Sequence, residues 1–174
     1  ADAGEYSVRA ENSEGAMTRT VATVAFGPPR ILRQPTGLTV MTNQAAGFSV
    51  AVEGTPPLTY RWRRNGVPIE GASSAAYGIE LAALEDAGAY DVMISNSYGS
   101  VTSAAVELRV IRADTDTDVD GLPDAWELAQ GLDPFSATDA AVDSDGDDVT
   151  NLDEFREATD PNDAASFRAR LVVQ

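Results

Sequence analysis

The sequence contains no cysteine, no histidine and no lysine, so its twelve basic residues are all arginine. Without cysteine there is no disulfide, no zinc–thiolate centre and no thiol nucleophile. Without histidine there is no Ser–His–Asp catalysis, and the commonest metal ligand is missing. Apolar runs are short and none approaches the ~18 residues needed to cross a bilayer. The N-terminal stretch "ADAGEYSVRA" has neither a basic n-region nor an apolar h-region, so no signal peptide is read there. What the chain has in excess is negative charge: 28 Asp+Glu against 12 Lys+Arg give a net −16 over 174 residues. That balance argues against nucleic acid and against an anionic membrane surface as partners. The chemistry left is that of carboxylates, whose natural partners are hard, oxygen-seeking cations.

The charge is unevenly placed. Residues 1–112 hold 11 acids and 9 arginines, a net of −2, whereas residues 113–174 hold 17 acids and 3 arginines, a net of −14. A domain boundary is expected near Arg112. Before it, "GFSVAVEG", "LTYRWRRNG", "AYDVMIS" and "AAVELRVI" alternate apolar and polar residues as half-buried strands do. Asn65-Gly66 suits a type I′ hairpin turn. Short strands with turn signals every ~8–12 residues predict a β-sandwich.

An internal repeat sharpens this reading. "DAGEYSVRAENSEG" from Asp2 matches "DAGAYDVMISNSYG" from Asp86, 84 residues on. This D-x-G-x-Y pattern resembles the E–F corner and F strand of immunoglobulin-like domains of the intermediate set. The resemblance implies that Trp62 is the core tryptophan of strand C and Tyr90 a tyrosine corner. It also implies that Val50 and Val92 stand where the family's bridging cysteines would be, facing each other against Trp62. A cysteine-free version suits an exported bacterial protein. Arg61, Arg63 and Arg64 read as a solvated strand face and turn, the alternative being a small anion-binding patch. Residues 1–27 match only the last two strands of such a domain, so the chain is expected to be a piece of a longer tandem array.

In the acidic third, "DTDVDGLPDAWE" (116–127) has the spacing of a twelve-residue EF-hand loop, D-x-[DN]-x-[DN]-G-x5-E. Ca²⁺ takes six to eight oxygens at about 2.3–2.6 Å, and a short loop must curl to supply them. The expected ligands are Asp116, Asp118 and Asp120, the Leu122 carbonyl, Asp124 directly or through water, and Glu127. A second loop, "DSDGDDVTNLDE" (143–154), follows 27 residues on. Its expected ligands are Asp143, Asp145, Asp147, the Val149 carbonyl, Asn151 and Glu154. Asp148 replaces the turn glycine, Gly121, and is expected at positive φ. Asp133, Asp139 and Asp160 read as turn caps, the alternative being outer ligands. An acidic disordered linker would not interleave Trp126, Leu128, Leu152 and Phe155 with the carboxylates. The segments entering the loops are too short for helices, so each unit is a loop plus an exit helix. That arrangement resembles bacterial thrombospondin type 3 repeats over 114–163. It also resembles dockerin, although dockerin loops usually end in aspartate and both of these end in glutamate.

The expected fold class is mainly β: an immunoglobulin-like β-sandwich plus a small calcium-binding loop–helix repeat module. The expected domains are 1–27, the end of a preceding immunoglobulin-like domain; 28–112, a complete one; 113–166, the calcium-binding repeats; and 167–174, the first strand of a following domain. The expected function is that of a non-enzymatic, calcium-stabilised spacer, holding about two Ca²⁺ ions, in a secreted or surface-anchored bacterial modular protein. Its partners are the neighbouring domains of the same longer chain. The alternative is a dockerin-like or adhesive module for a protein or glycan ligand.

Overall fold

A computed structural model describes residues 4–24 and 27–166, with side-chain surroundings for 7–19 and 27–166. The strand expected over 167–174 lies outside the described residues. The chain divides into two compact units, the first β-rich and the second containing the acidic segment.

The first described element is a hairpin of β1 (Gly4–Asn12) and β2 (Gly15–Val24), with Asn12 opposite Gly15. Its turn is held by the Asn12 side chain, whose Oδ1 accepts the Glu14 N–H at 2.9 Å. The same device recurs 84 residues on, between β10 (Gly88–Asn96) and β11 (Gly99–Thr102). There Asn96 Oδ1 accepts the Tyr98 N–H at 2.9 Å, and Asn96 lies opposite Gly99. The sequence repeat is thus also a repeat of backbone structure.

From residue 30 the strands are β3 (Arg30–Arg33), β4 (Leu38–Met41), β5 (Ala46–Ser49), β6 (Ala51–Glu53), β7 (Thr59–Arg64), β8 (Val67–Pro68), β9 (Ala76–Ile79), β10, β11 and β12 (Val106–Ile111). One sheet runs β4-β12-β10-β7-β8, with β11 continuing along β10. The opposite layer consists of the pairs β3–β6 and β5–β9. The turn from β7 to β8 has Asn65 at φ 50° and Gly66 at φ 79°, both left-handed as a type I′ turn requires.

Alternation along these strands puts one face into the core. Trp62 and Val92 lie directly opposite each other on β7 and β10, and both are 0% exposed. Val50, Phe48, Tyr90, Ile94 and Leu108 are buried as well. The Phe48 ring stacks on Tyr90 at 4.7 Å and lies 6.0 Å from Trp62. Each polar atom carried inward finds a partner, which removes the penalty of burying it. Trp62 Nε1 donates to the Ser74 carbonyl at 2.9 Å, and the Tyr90 hydroxyl donates to the Asp86 carbonyl at 2.7 Å. Arg63 forks onto Asp91 with bonds of 2.6 and 2.7 Å, and Arg64 pairs with Asp86 at 3.0 Å. Two of the three arginines weighed as an anion patch are therefore matched to carboxylates of their own domain.

Gly88, the glycine of the D-x-G-x-Y pattern, has φ 146°, and a Cβ there would stand 2.7 Å from Asn65 Oδ1. That oxygen accepts the Ala89 N–H at 2.9 Å. The glycine is required because the β7–β8 turn side chain occupies its open face. Gly88→Ala should therefore cost about 1–3 kcal/mol. Tyr90→Phe, which strips the Asp86 carbonyl of its donor, should cost a similar ~1–3 kcal/mol. Denaturant unfolding followed by tryptophan fluorescence measures both.

Candidate metal centre

The acidic segment is built from two copies of one unit, offset by 27 residues. In the first, a loop over 116–127 runs into α1 (Asp124–Gln130), which ends at Gly131 in the left-handed conformation. In the second, a loop over 143–154 runs into α2 (Asn151–Glu157), which ends at Ala158 with φ 56°. Leu132 N–H returns to the Glu127 carbonyl at 2.8 Å, and Thr159 N–H returns to the Glu154 carbonyl at 3.0 Å, closing the two helices alike. The loops open alike too: Asp124 N–H reaches the Thr115 carbonyl at 2.9 Å, and Asn151 N–H reaches the Val142 carbonyl at 2.8 Å. Trp126 and Phe155 meet edge to face at 5.3 Å, and Leu122 is fully buried. These apolar anchors hold the carboxylate-bearing loops in place.

The first aspartate of each loop organises backbone. Asp116 accepts the N–H groups of Asp120 and Gly121 at 3.2 and 3.0 Å. Asp143 accepts those of Gly146, Asp147 and Asp148 at 2.7, 3.3 and 2.9 Å. The bond from Gly146 first, then that from Asp148, holds the Asp143 carboxyl below the usual carboxylate range. Asp148 has φ 69°, matching the sign at Gly121, φ 98°.

Carboxylates converge at two points. Asp118, Asp120, Glu127 and Asp139 each bring an oxygen within 4.8 Å of the others, and so do Asp143, Asp145 and Asp147. Glu127 is 0% exposed, yet neither of its oxygens has a hydrogen-bond partner; both oxygens of Asp118, Oδ2 of Asp120 and Oδ1 of Asp139 are also buried without one. In the second loop the buried oxygens without a partner are Oδ2 of Asp145 and of Asp147, Oδ1 of Asn151 and both oxygens of Glu154, itself 0% exposed. Burial, then the charges of Asp118, Asp120 and Asp139, push the Glu127 carboxyl up to about 8. Burial first also raises Asp118, Asp139, Asp145 and Glu154, with neighbouring carboxylates adding to it. Buried acceptors in such numbers need either protons or a cation.

Two residues show what the spacing alone left open. Asp124, at the ninth loop position, has its carboxylate engaged by Thr115 Oγ1 and by the N–H and Oγ1 of Thr117, so it braces the loop entrance instead of joining the cluster. Asp139 takes both of the parts weighed for it: its Oδ2 accepts the Asp133 N–H at 3.1 Å, capping the turn, and it joins the first cluster. Its signal was available in the repeat: it lies twelve residues after Glu127, where the second copy has Ser166. Asp133 and Asp160 do sit in turns, accepting the N–H groups of Phe135 and Asn162 at 3.3 and 3.0 Å. Leu122 and Val149 each donate an N–H to the fifth-position aspartate of their loop, at 2.8 and 2.9 Å.

The β-rich unit is an immunoglobulin-like domain, and residues 29–110 match the family model "Immunoglobulin I-set domain". An I-set domain therefore occupies about half of the chain; domains of this family are typically structural or adhesion modules and not enzymes. Among curated proteins, human "Brother of CDO" is 32% identical over 148 residues, covering 78% of this chain and 12% of the relative. The nematode (Caenorhabditis elegans) "Muscle M-line assembly protein unc-89" is 34% identical over 124 residues, 67% of this chain and 2% of its own length. The "Decoration protein" of Escherichia phage T5 is 37% identical over 73 residues, 40% of this chain and 44% of the relative. The chain thus spans less than half the length of each. Among solved structures, titin M3 is 28% identical with a TM-score of 0.44, covering 49% of this chain and 98% of that one.

The crowding predicts a pH trend in the absence of divalent cations. Glu127 ionises near 4.5 when free and near 8 in the folded loop. Its contribution to stability is full below 4.5, where both states hold the proton, and is lost as pH rises through 8. Melting in excess EDTA should show the acidic unit less stable at pH 8.5 than at pH 5, whereas repulsion-free loops would show no such fall.

Proposed function

We propose that this chain belongs to a modular extracellular or cell-surface protein, in which an I-set domain is followed by a calcium-stabilised structural spacer. The observation that carries the reading is Glu127 and Glu154, each at the twelfth position of its loop, fully buried, with both carboxylate oxygens free of any hydrogen-bond partner. A glutamate there closes an EF-type loop by giving both oxygens to one Ca²⁺. In the first loop Asp116, which also shapes the turn, Asp118, Asp120 and Glu127 would hold the ion with the Leu122 carbonyl. In the second, Asp143, Asp145, Asp147, Asn151 and Glu154 would do so with the Val149 carbonyl. Asp124 acts as a brace.

The donor set is all oxygen and mostly charged, which suits Ca²⁺ and leaves softer transition metals without a preferred ligand. Sites of this kind fill at the calcium levels outside cells. The cysteine-free core and the thrombospondin type 3 pattern favour a bacterial source. Neither loop is flanked by the helix pair that a calcium-driven switch opens, so the ion's part here is to stiffen.

Two ions would cancel four charges where the carboxylates are most crowded. A site at 100 times its Kd adds about 2.7 kcal/mol, a large share of the stability of so small a unit. Calorimetric melting of the 174-residue chain in millimolar calcium and then in EGTA should show one transition fall or vanish while another, from the I-set domain, stays in place. Glu127→Gln and Glu154→Gln together should reproduce the EGTA result in the presence of calcium. If neither transition responds to calcium, the spacer reading fails.

A further inference from the structure

Comparing the two copies turn by turn shows where they stop being equivalent. After each helix comes the same frame. Asp133 O accepts from Ser136 N–H at 2.9 Å, and Asp160 O from Asp163 N–H at 3.1 Å. Ser136 O then accepts from Asp139 N–H at 3.1 Å, and Asp163 O from Ser166 N–H at 2.7 Å. The frame closes with a side chain taking the N–H of its first aspartate: Asp139 Oδ2 from Asp133 at 3.1 Å, and Ser166 Oγ from Asp160 at 2.9 Å. The backbone job is the same. The difference is that Asp139, gathered with Asp118, Asp120 and Glu127, has a second oxygen, Oδ1, buried and without a partner. Ser166 has none to give.

Asp139 also belongs to the second copy's entrance. It opens the short 3-10 turn Asp139–Ala141, and its carbonyl accepts Asn151 Nδ2 at 2.8 Å. Asn151 is the ninth residue of the second loop, and its Oδ1 is one of that loop's buried oxygens without a partner.

We propose that Asp139 is a fourth carboxylate ligand of the first cation site, borrowed from the second repeat, and that it makes the two sites unequal and filled in order. This rests on the calcium reading of the loops. A cation held by Asp118, Asp120, Glu127 and Asp139 fixes Asp139, Asp139 fixes Asn151, and the second loop is then pre-shaped for its own ion. The coupling is reciprocal, so loss of either link weakens both events.

The test is calcium titration calorimetry on the 174-residue chain, with terbium luminescence sensitised by Trp126, the neighbour of Glu127, reporting the first site. The wild type should bind in two phases, the tighter one carrying the tryptophan-sensitised signal. Asp139→Ser, which copies the second repeat, should weaken that phase by roughly 10–100-fold and merge the two. Ser166→Asp should tighten the weaker phase, a gain that misfolding cannot mimic. Two phases that persist unchanged in both variants would overturn the ordering while leaving the spacer intact. A wild type that binds no calcium at all would overturn the spacer reading itself and this inference with it.

Discussion

Buried carboxylates that lack partners are the constraint around which the acidic unit is organised. A carboxylate moved out of water loses several kcal/mol of hydration unless donors or a counter-charge replace it. Here the loops do the opposite of spreading their charge: they fold so that Asp118, Asp120, Glu127 and Asp139 converge, while several backbone donors go to Asp116 and Asp143 and none to Glu127. The apolar side chains available, Leu122, Trp126 and Phe155 among them, are too few to offset that repulsion alone. Positive charge at its centre, whether protons or a hard cation, relieves a geometry of this sort.

The I-set domain solves its folding problem by other means. Trp62, Phe48, Tyr90 and Val92 supply a continuous apolar interior, and their polar atoms are matched within the domain. Charge there is peripheral and paired, as Arg63 with Asp91 and Arg64 with Asp86 show. Val92, 0% exposed and opposite Trp62, belongs to the apolar packing and not to any covalent cross-link, since the chain has no cysteine. The I-set domain is therefore organised around apolar burial, the acidic segment around converging carboxylates.

Much of this was legible beforehand, for a physical reason. Strand alternation, the Asn65-Gly66 turn and the D-x-G-x-Y corner are local rules, and local rules can be read from a sequence. The spacing of loop aspartates is local as well. Asp124 and Asp139 show what such rules leave open, because their parts are not local. Position nine of a loop does not reveal that Thr115 and Thr117 will capture its carboxylate. Nor does the loop pattern end where the site ends, since Asp139 reaches the cluster through a turn that follows the helix. Residues whose role is set by chain return, and not by spacing, need either coordinates or a comparison of repeats.

The glycines of the two loops carry one more consequence. Each loop takes a left-handed backbone at its fourth and sixth positions: Val119 at φ 63° and Gly121 at φ 98°, Gly146 at φ 85° and Asp148 at φ 69°. Glycine and non-glycine have exchanged places between the copies. A β-branched residue pays most for that conformation, so Val119, 84% exposed and with no packing to recompense it, is the first loop's point of tension, while Asp148 is the second's. Strain is thus stored at different residues of the two loops, ahead of the glycine in the first and after it in the second. Two loops that share their carboxylate spacing would therefore unravel from opposite sides of the turn.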